Sequence, residues 1–284
     1  MTMPVTTTWI RHGKSESNET TSLAKKGTPH PREAALKNVH TSKRRLTLLG
    51  IEQARQAGIW IERDMQQRAA VLAGQTFQTR YFTSPYVRTM ETALETGLRV
   101  KWRPDTRLCE RNWGIVDHLT YDKQMRIFRK ELRRRETDAF FWTPRDGESL
   151  LQVQGRLRQF LDMLNRQCSQ CHAYISSHGE TMWAGRSLHE YWMPEELAQR
   201  MLNEDKDLQN KMLNCRIVQY SRQKDDASAE LDDHICRVRL INPMRPDDST
   251  TNLDWQPVRR REFDPEELRA YVNQFKHYLR DDTV

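Results

Sequence analysis

No stretch of the 284-residue chain approaches the ~18 consecutive apolar residues of a membrane-spanning helix, so no membrane partner is expected. Cysteine is scarce. Cys109, Cys168, Cys171, Cys215 and Cys236 are too few for a disulfide framework in a chain this long. Cys168-Ser-Gln-Cys171 has no second pair and would hold zinc only with His172 and a distant ligand. The cysteines therefore read as reduced and structural, and neither metal nor cofactor is expected. The opening MTMPVTTTWIRHG lacks a basic region and a long apolar run, so no secretory signal is expected and the expected location is cytoplasmic. No repeat with a period of 20–50 residues is present. Hydrophobic residues are also few, at 37%. Eight each of Phe, Tyr and Trp nevertheless argue against general disorder, and the length suffices for a sizeable core.

What the chain does have is positive charge. Lys plus Arg number 46 against 39 Asp plus Glu, a formal net charge of +7. The excess gathers at Lys43–Arg45, Arg126–Arg135 and Arg259–Arg261. Such a face serves nucleic acid or collects anionic small substrates. Arg126–Arg135 reads more simply as a solvated helix face.

Several elements follow from pattern. Val5–Ile10 is β-rich and runs into Arg11-His12-Gly13, which the pattern places in the loop after a strand. Glu19–Arg45 is polar and reads as a long surface excursion, with a lid over a site as one use for it. Thr47 caps a helix carrying Ile51, Ala54, Gly58, Ile61 and Met65 at helical spacing. A strand over Arg80–Thr83 leads through Ser84-Pro85, with Pro85 suited to a helix's first turn, into a helix over Val87–Thr96. Asp146-Gly147-Glu148-Ser149 introduces the clearest helix, with Leu150, Val153, Leu157, Phe160, Leu161 and Leu164 on one stripe. His172–Ser177 reads as a strand ending at His178-Gly179, Met193–Leu202 and Leu208–Leu213 as helices, and Cys215–Tyr220 and Ile235–Ile241 as strands. Asp264-Pro265-Glu266-Glu267 starts a last helix with the stripe Leu268, Tyr271, Val272, Phe275 and Leu279. Strands alternating with helices predict an α/β fold with a largely parallel sheet, its working loops at the carboxyl ends of the strands.

Six blocks, in order, resemble the histidine phosphatase superfamily, whose fold is shared with cofactor-dependent phosphoglycerate mutases. They are Trp9-Ile10-Arg11-His12-Gly13-Lys14-Ser15-Glu16-Ser17-Asn18, Leu46-Thr47 with Gly50, Gln53, Ala54 and Gly58, Ser84 to Ala93 around Arg88, Cys109 to Gly114 around Glu110, Asp146 to Ser149, and Ser176 to Thr181 around His178. Each block alone is weak; six in sequence over residues 5–221 are specific. The resemblance implies a three-layer sandwich with a mostly parallel central sheet flanked by helices. It also implies one domain over 1–284, with a core of about 1–222 and a C-terminal extension over 223–284 that packs on the core or makes a homodimer contact.

The implied activity is metal-independent phosphomonoester hydrolysis through a phosphohistidine. Such transfer requires a nucleophile, a cage for three charged oxygens and a proton for the leaving group. His12 is the candidate nucleophile and must be neutral to attack. Arg11 and Arg88 supply planar forks that match phosphate oxygens. The resemblance makes His178 a further donor and Asn18 a lesser phosphate contact. Glu110 is the candidate general acid, and later base for the attacking water. The expected substrate is a small phosphate ester or a phosphoprotein, and nucleic acid is not expected. Trp113, Trp142, Arg145, Lys14 and Arg111 are candidates for the rim, and His118 follows the acid loop closely. The mutase branch continues that loop with a segment that grips a second phosphate; here it reads Gly114-Ile115-Val116-Asp117-His118-Leu119-Thr120, which favours hydrolysis. Mutase-type transfer stays as an alternative, with Arg133–Arg135 as its second anion site. A non-catalytic phosphate-recognition module is the other.

Overall fold

The computed structural model describes residues 2–71, 77–227 and 229–275. In chain order the elements begin with β1 (Thr6–Arg11), α1 (Glu16–Lys25), α2 (Glu33–Lys37), α3 (Leu48–Val71), β2 (Gln78–Thr83), α4 (Val87–Glu95) and β3 (Trp102–Pro104). They continue with α5 (Tyr121–Ile127), α6 (Arg129–Thr137), α7 (Leu150–Gln167), β4 (Cys171–Ser177), α8 (Gly179–His189) and α9 (Pro194–Leu202). The chain then adds β5 (Ile217–Ser221), β6 (Arg237–Ile241), β7 (Leu253–Pro257) and α10 (Pro265–Val272).

One seven-stranded sheet, in the order β3-β2-β4-β1-β5-β6-β7, forms the middle layer. The pairs β1·β4, β2·β4 and β2·β3 are parallel; β1·β5, β5·β6 and β6·β7 are antiparallel. The sheet is therefore mixed, which corrects the mostly parallel expectation. Parallel neighbours need crossover helices, which α3, α4 and α7 supply, whereas no helix joins β5 to β6 or β6 to β7.

Alternation along β1 divides the core. Trp9 joins a cluster with Phe82, Leu157, Phe160 and Trp183 beneath α7 and α8, while Ile10 joins Ala54, Ala57, Ile61, Tyr81 and Tyr174 beneath α3. Helix α7 starts at a reciprocal cap: Gln152 N donates to Ser149 Oγ at 3.1 Å and Ser149 N donates to Gln152 Oε1 at 2.7 Å. Thr47 caps α3, its Oγ1 accepting from Gly50 N at 3.1 Å. Pro85 lies outside its helix, which begins at Val87 after Tyr86.

Other expectations are revised. The polar excursion over residues 19–45 holds most of α1, all of α2 and a 3-10 turn at Thr41–Lys43, and it buries Lys37 and Arg44, so it is not wholly at the surface. Leu208–Leu213 is a turn rather than a helix. The buried Arg216 guanidinium takes its carbonyls, donating to Lys211 O at 3.0 Å and Leu208 O at 2.9 Å. On α10, Leu268 and Val272 are exposed, as is Phe275 just past its end, and Tyr271 lies beside Glu195 of α9; Leu279 falls outside the described residues. No described helix is long and apolar enough to cross a membrane.

Two core histidines make stability sensitive to acid. His172 Nδ1 lies 2.8 Å from Thr6 Oγ1, and burial pushes its pKa down to about 4; burial alone pushes His189 down to about 3. Both stay neutral when folded, whereas an unfolded imidazole takes up a proton near pH 6.5. Their contribution is fully present above that pH and is lost as pH falls toward the folded values. At pH 5 each is expected to cost about 2 kcal/mol, seen as a drop in denaturation midpoint between pH 7 and 5. A midpoint that holds steady over that range contradicts the burial argument.

Candidate active site

The carboxyl ends of β1, β2 and β4 bring the sequence-marked residues together, with Arg11 as the last residue of β1 rather than part of the following loop. A nitrogen of His12, a nitrogen of His178 and a carboxylate oxygen of Glu110 all lie within 4.8 Å of one another. The two imidazole centroids are 5.2 Å apart.

His12 is almost fully buried, and its Nδ1 lies 2.7 Å from Gly13 O. A carbonyl only accepts, so Nδ1 carries the proton and Nε2 presents its lone pair. Arg88 Nε donates to that Nε2 at 3.1 Å. Burial foremost, then Arg88 and Arg11, holds the His12 pKa well below its ordinary value. The ring is therefore neutral at physiological pH. Gly13 allows this approach: a Cβ there would stand 2.2 Å from Gly50 O at the start of α3.

His178, fully buried, precedes the first residue of α8. Its Nε2 is 2.8 Å from Ser84 Oγ, which also accepts from Tyr86 N at 3.3 Å. The buried Nδ1 on the other side of the ring has no partner among the described residues. Burial, followed by Arg88 and His12, lowers the His178 pKa strongly.

Arg11 donates through Nη1 to Met212 O, and its buried Nε has no partner among the described residues. Arg88 packs its guanidinium 4.9 Å from the Tyr86 ring centroid and donates through Nη1 to Thr41 O at 2.8 Å. Asn18 closes the cap of α1: its Oδ1 accepts from Ser15 N at 3.1 Å, Ser15 Oγ at 3.0 Å and Asn214 Nδ2 at 3.2 Å. This fixes the carbonyl end of the amide and leaves its NH2 at the cleft, which Asn18 lines.

Glu110 Oε1 accepts from Arg111 N at 2.9 Å and from Thr181 N and Oγ1, each at 3.3 Å. Withdrawal of the carboxyl from solvent, then the neighbouring Glu180 charge, raises its pKa against the opposing pull of Arg88 and Arg11.

Arg11, His12, Asn18, Arg88 and Glu110 line a cleft of about 820 Å³, with His178 behind them against the His12 ring. Arg111 and Trp113 line it, as expected, but Lys14, Trp142 and Arg145 do not. Lys14 pairs with Glu19, Trp142 is buried with its ring 5.9 Å from Trp113, and Arg145 points to solvent beside Asp146. His118 lines a neighbouring hollow that shares Thr41, Glu110 and Asp117 with the cleft. Of Arg133–Arg135 only Arg135 reaches the cleft, and Glu180 Oε1 pairs with it at 2.9 Å. Sequence reasoning missed Thr181, which sits inside a quoted block, and Thr41, Lys37 and Arg44, which come from the excursion.

The three-layer sandwich with paired histidines and arginines at its strand ends defines a phosphoryl-handling class. The chain belongs to the histidine phosphatase superfamily, branch 1, which it matches over residues 8–205. A phosphoglycerate mutase-like protein of Arabidopsis thaliana is 28% identical over 152 residues, 48% of this chain and 52% of that protein, so the match spans about half the relative's length. In fold the chain is similar to a mycobacterial glucosyl-3-phosphoglycerate phosphatase solved with VO3, with TM-score 0.57, 19% identity, and coverage of 76% of this chain and 92% of that one. It is also similar to a putative alpha-ribazole-5'-P phosphatase from Escherichia coli, with TM-score 0.54, 15% identity, and coverage of 78% and 92%.

Proposed function

We propose that the protein is a phosphomonoesterase that works through a phosphohistidine on His12 and takes a small-molecule phosphate ester. The observation that carries this reading is the His12 tautomer: Nδ1–H is tied to Gly13 O, which leaves the lone pair on Nε2, where Arg88 Nε donates to it. Arg88, now on Nε2, turns its donors to the phosphoryl oxygens, joined by Arg11, by His178 through its unpartnered Nδ1 when that nitrogen carries the proton, and by the Asn18 amide. The Nε2 lone pair attacks phosphorus, the P–O ester bond breaks, and the leaving oxygen takes the Glu110 proton. Water then attacks phosphorus, gives its proton to the Glu110 carboxylate, and the P–N pair returns to Nε2. Burial and the Glu180 charge shift Glu110 toward its protonated form, which the first step uses, and an incoming phosphate dianion shifts it further.

The same trio, His12, Glu110 and His178, has the donor set for a metal ion. Arg88 on His12 Nε2 and Arg11 beside it place two positive charges there, which oppose a cation and favour an anion. The named substrates of the structural relatives, a sugar phosphoglycerate and a ribazole phosphate, support a small ester as the substrate class. Phosphate release from p-nitrophenyl phosphate is expected to survive excess chelator. Loss of turnover on chelation, restored by a divalent ion, contradicts the reading.

A further inference from the structure

The cleft holds cations that this chemistry does not use. Lys37, the last residue of α2, is only 9% exposed and lines the cleft. Among the described residues its ammonium meets no hydrogen-bond acceptor and no carboxylate within ion-pair distance. Glu33, one turn earlier on the same buried face, is engaged by Tyr121 N at 2.9 Å. Asp117 and Glu33 act on Lys37 only through the field, which Arg44 opposes.

Arg44 is 2% exposed and also lines the cleft. Its guanidinium donates only to neutral oxygens: Val39 O at 3.1 Å, Ser17 Oγ at 3.2 Å and Asp117 O at 3.2 Å. Two like charges act on each other here without an ion-paired counter-charge, and an arriving anion offsets that repulsion. Other cleft cations differ: Arg135 is answered by Glu180 and Lys211 by Asp205, while Lys25 and Lys26 are exposed at the rim. The segment that carries Lys37 and Arg44 is tied to the reactive centre through the bond from Arg88 to Thr41 O.

We propose that Lys37 and Arg44 form a second anion subsite, and that the substrate is a small phosphate ester bearing a further phosphate or carboxylate. This rests on His12 as the reactive centre. The depth of Lys37 selects a slim anionic group over a protein chain.

The test compares α,ω-alkanediol bisphosphates of increasing length with the corresponding monophosphates and with a serine-phosphorylated peptide. The best bisphosphate is expected to show at least about tenfold higher kcat/KM than its monophosphate, about 1.4 kcal/mol. In Lys37→Met, which keeps most of the stem's volume, that ratio is expected to fall below about threefold. A matching phosphocarboxylate series reads which anion is preferred. Equal kcat/KM at every length, a ratio unchanged in Lys37→Met, or faster turnover of the phosphopeptide overturns the subsite. Calorimetric binding of the same pairs to His12→Ala needs no Lys37 variant and no turnover. Tighter bisphosphate binding there, in a chain whose wild type hydrolyses nothing, keeps the subsite and removes the hydrolase. Equal binding with wild-type hydrolysis intact does the reverse.

Discussion

His12→Ala is expected to lower phosphatase activity by at least about 10³-fold, the largest effect of any single substitution in the site. The reason is specific to this ring. Its Nε2 is the atom that forms the covalent bond, and its Nδ1–H is committed to Gly13 O, so no tautomer shift replaces it. His178 does not substitute, because it is fully buried behind His12 and does not line the cleft. The fold is expected to survive, since the ring's two hydrogen bonds go to the adjacent Gly13 O and to Arg88 Nε and neither joins strands of the sheet, and a retained denaturation midpoint beside lost turnover separates the two causes. Activity within about tenfold of wild type would remove His12 from the chemistry.

Glu110→Gln carries the second largest effect, and its size depends on the leaving group. An alkyl phosphate departs as a strongly basic oxygen and needs the proton, so a loss of about 10²–10⁴-fold is expected. For p-nitrophenyl phosphate, whose leaving oxygen is stable as an anion, the loss is expected to be at least tenfold smaller. Glutamine keeps the acceptor that Arg111 N and Thr181 use, so positioning alone does not produce this contrast. The pH profile carries the same signature. Protonated Glu110 is the active form, and its pKa is raised by burial and by Glu180, so wild-type activity toward alkyl esters falls as pH rises through it. In the variant that limb disappears. Equal losses for alkyl and aryl esters, with the limb retained, would assign the proton to another group.

Much of the site was legible because its pieces are local. Arg11 and His12 follow directly from a β-rich run, Arg88 from a strand-turn-helix at Ser84, and His178 from the end of Cys171–Ser177. Each is placed by elements of strong pattern, and the parallel pairing of β1, β2 and β4 aligns their ends. Sheet direction was less legible. The residues of β5 look the same whichever way the strand runs, and its antiparallel pairing with β1 depends on where the chain re-enters after α9. The turn at Leu208–Leu213 has apolar spacing suited to a helix; a buried arginine several residues later overrides it. Lys37 was invisible for a similar reason, and Arg44 was marked only as part of the basic run Lys43–Arg45 and not as a residue of the site. In the sequence they are ordinary members of a polar, basic stretch, and only the return of that stretch to Arg88 buries them.

The most direct test is to quench wild type and His12→Ala during turnover of a ³²P-labelled ester and to map the label. The account predicts covalent phosphate on His12 in wild type, labile in acid and stable in alkali, and none in the variant. Label on a hydroxyl or carboxyl side chain, or the same label in His12→Ala, would contradict it.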